Sequence, residues 1–198
     1  MCVERWGTKE LGCQHGIGHG VLWYLGEDHL LDALKVCGHL STQGAVIGCG
    51  KGVFMEYNLD SATNATMTAS LREFSSQNPY APCDSVPNFF QSVCYFELPR
   101  WWDAVFFHDY EQISSYCGEI EKDNFRKDCF SGLDNKAAFN AQFDALKTYE
   151  ICKTATNNTN ISSCLIGAYD EFMGEPKFRY LAPEICAEIR RHGGICNE

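Results

Sequence analysis

No stretch of this 198-residue chain approaches the roughly 20 consecutive apolar residues that a membrane-spanning helix needs. Positive charge is also scarce. Sixteen Lys and Arg stand against 26 Asp and Glu, a formal charge of −10, so no basic stripe is available to displace the counterions of a phosphate backbone. Nucleic acid is therefore not an expected partner. The familiar catalytic signatures are missing: there is no G-x-S-x-G elbow, no G-x-x-x-x-G-K-[ST] phosphate loop and no H-E-x-x-H. The absence of C-x-x-C argues against a thioredoxin-like centre, a zinc ribbon and an attached c-type haem.

What is present in quantity is cysteine. Twelve fall as six close pairs, Cys2/Cys13, Cys37/Cys49, Cys83/Cys94, Cys117/Cys129, Cys152/Cys164 and Cys186/Cys196. An even count at such regular spacing predicts disulfides between neighbours, although spacing alone leaves crossed connectivities open. Disulfides that persist imply an oxidising, extracytoplasmic location. The sequons at Asn64, Asn157 and Asn160 agree with secretion and make these three asparagines candidate glycosylation sites. The opening Met1-Cys2-Val3-Glu4-Arg5-Trp6 has no basic and apolar signal pattern, which is expected of a mature chain or a piece of a longer one.

Aligned on the second cysteine of each pair, the chain repeats at intervals typical of helical-hairpin arrays. Leu30, Leu31, Leu34 and Cys37 form one apolar stripe, and Phe139, Phe143, Leu146, Tyr149 and Cys152 form another. Gly16, Gly52, Gly132 and Gly167 each follow a second cysteine by three residues, where glycine admits a closely packed neighbour. The expectation is one all-α domain over residues 1–198, about five tandem hairpins, with an irregular insertion around 57–100. The aromatic run after that insertion contains Trp101 and Trp102, read either as a binding surface or as the core face of a helix.

One segment carries a chemical hypothesis. In Cys13-Gln14-His15-Gly16-Ile17-Gly18-His19-Gly20, a helix places His15 and His19 at i and i+4, where two imidazoles can chelate one metal ion. Gly16, Gly18 and Gly20 are expected to let a partner helix or ligand come close. One repeat later, Met55 or Glu56 is a candidate third ligand, with His108 as a further one. A carboxylate suits zinc and a thioether suits copper. The alternative is that the histidines serve only as hydrogen-bonding groups in a packed interface.

The runs C-Q-H-G-I-G-H-G at 13–20, D-A-L-K-V-C at 32–37 and C-G-K-G-V-F-M-E at 49–56 resemble a pattern of exported cysteine- and histidine-rich helical-repeat proteins. The architecture is also similar to disulfide-stapled Sel1-like repeats, with a longer cysteine spacing. The resemblance implies a fold and carries no activity with it. The functional expectation is an extracytoplasmic module that binds a protein or another extracellular ligand, with a histidine metal site. Two alternatives stand beside it: a metal-dependent enzyme or carrier centred on His15 and His19, and a structural subunit of a surface layer or filament.

Overall fold

The structure is a computed structural model and describes residues 2, 10–40, 43–59 and 72–196. Among them every regular element is helical: α1 (Glu10–Leu25), α2 (Leu30–Gly38), α3 (Gln43–Leu59), α4 (Asn88–Val105), α5 (Tyr110–Gly118), α6 (Asp123–Asn140), α7 (Ala145–Cys152), α8 (Asn158–Gly174) and α9 (Ala182–Arg191). Where the repeat spacing suggests one domain, the chain divides into two compact units, Met1–Glu97 and Leu98–Glu198. The stretch 57–100 is less irregular than expected, since residues 88–100 belong to α4.

All six disulfides join neighbours, with Cα–Cα separations between 5.4 and 5.8 Å. Cys37, Cys117 and Cys152 close the short helices α2, α5 and α7, and each is tied into an early turn of the long helix that follows. The staple therefore fixes a short helix against a long one across a polar connector. Three helices begin on short polar residues whose side chains accept a backbone N–H of the first turn: Asp109 from Gln112, Asp144 from Lys147 and Asn157 from Asn160.

In the first unit α1 and α3 run parallel. Leu11 lies against Gly48, His15 against Gly52 and His19 against Glu56, each pair 37 residues apart. The crossing is made by glycine: a Cβ on Gly18 would overlap the carbonyl oxygen of Cys49, and one on Gly52 would overlap that of His15. The second unit repeats the device. A Cβ on Gly167 of α8 would overlap the carbonyl of Ser131 on α6. Gly167 and Gly52 both stand three residues after the second cysteine of their pair, as the spacing foretold, but Gly16 and Gly20 face open space instead of a neighbour.

The core of the second unit includes Leu98, Trp101, Trp102, Ile113, Phe130, Leu133, Leu165 and Phe172, each at most 1% exposed. This corrects the reading of Trp101 and Trp102 as a binding surface. They are core residues, because α4 turns that face inward and no indole remains for a partner to touch. Among the described residues no helix is long and apolar enough to cross a membrane.

Candidate functional site: a histidine pair at a glycine crossing

The crossing of α1 and α3 places three of the expected residues together. His15 and His19 stand one turn apart on α1, and Gly52 and Glu56 stand one turn apart on α3. Because glycine lets the two helices approach, the side chains of His19 and Glu56 meet directly. Glu56 is buried, 3% exposed, and the His19 side chain keeps 28% of its surface.

Glu56 Oε2 lies 2.6 Å from Nδ1 of His19, and Nε2 of His19 lies 3.2 Å from Nε2 of His15. The imidazoles are nearly perpendicular, with centroids 4.8 Å apart and an interplanar angle of 81°. A carboxylate on Nδ1 holds the Nδ1–H tautomer of His19 and aims the Nε2 lone pair at His15. The two Nε2 atoms are then within hydrogen-bonding distance of each other, with the Nε2–H of His15 able to donate to that lone pair. For metal–nitrogen bonds of about 2.0–2.1 Å, a tetrahedral ion separates two ligand nitrogens by about 3.3–3.4 Å, and a square-planar one separates cis ligands by about 2.8–3.0 Å. The observed 3.2 Å lies between these two ranges and is also the length of a direct hydrogen bond between the rings.

Glu56 is thus placed differently from the expected third ligand. It engages the ring nitrogen that points away from His15, so it orients His19 and does not share an ion with it. Met55, the next residue on α3, is rotated about 100° around the helix from Glu56. His108 belongs to the second unit, where its Nδ1 sits 2.8 Å from Asp103.

The second unit supplies an internal comparison. At the positions of α6 that match His15 and His19, counted from the cysteine, the chain carries Ser131 and Asn135. Gly167 still packs on the Ser131 carbonyl, so the same crossing forms without imidazoles. The crossing itself therefore does not require imidazoles, while in the first unit His19 also serves the interface through its hydrogen bond to Glu56.

Among the described residues, three ligand-type atoms come within 4.8 Å of one another at Asp134, Cys152 and Cys164, and not at the histidine pair. Both sulfurs are committed to a disulfide and cannot act as thiolates. Of the sequon asparagines, Asn157 is exposed and caps α8, while Asn160 is 3% exposed. Burial removes Asn160 as a glycosylation site in the folded chain, and Asn64 lies outside the described residues. No protein-family model, curated protein or solved structure matches the chain.

Proposed function

We propose that the protein is an extracytoplasmic, disulfide-stapled helical module that binds one zinc ion through Nε2 of His15 and His19, with Glu56 as the orienting carboxylate. The observation that carries this reading is the 3.2 Å approach of the two Nε2 atoms while Glu56 holds the opposite face of His19. Zinc is the ion chosen because a carboxylate behind a ligating imidazole is the arrangement that supports zinc-bound histidine. Two protein ligands leave coordination positions for water or for a donor brought by a binding partner. A protein or extracellular ligand docking on the first unit completes the coordination, which makes the metal a point of recognition.

The location outside the cytosol is supported by six disulfides and by the exposed sequon at Asn157. Elemental analysis of the protein purified after zinc loading, beside a His15→Ala/His19→Ala variant, tests the reading. One zinc per native chain and none in the variant is the expected result; a native chain without zinc overturns it.

A further inference from the structure

The second unit contains a pocket of about 560 Å³ with a polar end and an apolar end, within the range of small-molecule sites. His108, Tyr110 and Asn140 form the polar end, and the remainder is lined by Ala141, Leu146 and Ile151 together with Lys147 and Glu150. Behind the polar end lies Asp103, 2% exposed. Its carboxylate accepts from His108 Nδ1 at 2.8 Å and from Asn140 Nδ2 at 3.1 and 3.2 Å. Asn140 Nδ2 also reaches the Tyr110 hydroxyl at 2.5 Å. Burial, and then the charge of Asp103, pushes the Tyr110 phenol up to about 12, so it keeps its proton at neutral pH.

This arrangement commits donors inward and leaves acceptors facing the pocket. With its Nδ1–H held by Asp103, neutral His108 carries its lone pair on Nε2. Asn140 spends its amide hydrogens on Asp103 and Tyr110, which turns its carbonyl Oδ1 away from them. Two charged side chains also line the pocket: Glu150 is paired with Lys153 at 2.9 Å, and the exposed Lys147 lies 3.9 Å from Asp144.

The backbone at His108, which lines this end, is in a left-handed conformation, as it is at three other residues that follow α4 and α6. Phe107 and His108 have φ of 52° and 66°, and Gln142 and Phe143 have φ of 53° and 57°. Left-handed residues with a Cβ cost about 1–2 kcal/mol each. The two pairs close α4 and α6, where the N–H of His108 reaches the Asp103 carbonyl and that of Phe143 reaches the Ala138 carbonyl. Helix α9 ends with the same bond, from Gly194 to Ile189, and there the left-handed residue is Gly193 at φ 79°. At α9 a glycine takes the left-handed position, whereas α4 and α6 place side-chain-bearing residues there, of which His108 lines the pocket and Phe143 packs on Phe172 and Phe178.

We propose that this pocket binds a small amphiphile whose head donates hydrogen bonds, an aliphatic alcohol or amine. The head lies between His108 Nε2 and Asn140 Oδ1, and the chain lies along Ala141, Leu146 and Ile151. At this end an anionic head meets two acceptors and the charge of Asp103, so a carboxylate binds there more weakly than a donor head, although Lys147 also lines the pocket.

The test is an NMR titration of the full oxidised chain at about pH 8 with 1-hexanol, hexylamine and hexanoate, following the His108 ring and Leu146 methyl signals. Saturable shifts are expected with the alcohol or the amine, and whichever binds more tightly identifies the head as neutral or charged. Hexanoate is expected to bind at least roughly tenfold more weakly. His108→Phe removes the acceptor and is expected to weaken binding by about the same factor. Leu146→Asp, at a position 68% exposed, blocks the apolar end without touching the core. Equal binding of hexanoate, no saturable shift with any probe, or native-like binding by both variants overturns the proposal.

Discussion

Glu56 acts on the far side of the His19 ring from His15, and that placement separates its contribution from the ligands' own. Glu56→Gln keeps the size of the side chain and loses its charge, so zinc affinity is expected to fall about 10–100-fold while binding persists. A calorimetric titration reads this directly, and unchanged affinity would remove Glu56 from the site. Asp134 is a second buried carboxyl, with no such partner. It is fully buried, its Oδ2 has no hydrogen-bond partner, and burial followed by the charges of Glu171 and Asp170 raises its pKa well above 3.8. The folded state therefore binds this proton more tightly than the unfolded state does. Its favourable contribution is complete below pH 3.8 and is lost as pH rises through the raised value. Asp134→Asn is expected to stabilise the protein at neutral pH by about 1–3 kcal/mol and to flatten the decline of the melting temperature above pH 4. A variant that melts lower than the native chain at pH 7 contradicts this.

At the scale of elements, two kinds of glycine in one motif have opposite consequences. Gly52→Ala drives a methyl group into the His15 carbonyl, which forces α1 and α3 apart and costs about 2–4 kcal/mol. Gly16→Ala, on the same histidine-bearing helix, meets open space and is expected to stabilise by about 0.5–1 kcal/mol. Thermal melts of the two variants distinguish them. The sequence pattern showed that α1 contains a glycine-rich helix with two imidazoles on one face, because i and i+4 spacing needs no tertiary information. It did not show which glycines meet a neighbour, since the choice between Gly16 and Gly18 depends on how α1 is rotated against α3. The aromatic run at 101–102 was ambiguous for the same reason, and helix α4 resolved it toward the core. Asp103, Asn140 and Tyr110 were not legible at all, because Asn140 lies 37 residues from Asp103 and no local spacing links them.

For the whole molecule, the cysteine rhythm was the readable feature: it pointed to the helical class and to neighbour pairing, and the structure selects neighbour pairing over the crossed connectivities that spacing left open. Each staple closes a short loop and contributes about 3 kcal/mol, so six together contribute on the order of 15–20 kcal/mol. That exceeds the total stability of an ordinary domain, about 5–15 kcal/mol. The reduced and alkylated chain is accordingly expected to lose its helical circular dichroism at neutral pH; retention of the native signal would show that the helices hold without their staples. The division into two units was hidden in the sequence, because the cysteine spacing runs through residue 97 without announcing a boundary. What the division exposes is a frame used twice, once with His15 and His19 and once with Ser131 and Asn135 in their places. The most direct measurement is a calorimetric zinc titration of His15→Ser/His19→Asn, which installs the second unit's residues in the first, beside the native chain. The account predicts one zinc site in the native protein and none in the variant, with unchanged helical content; zinc bound equally by both, or by neither, would contradict it.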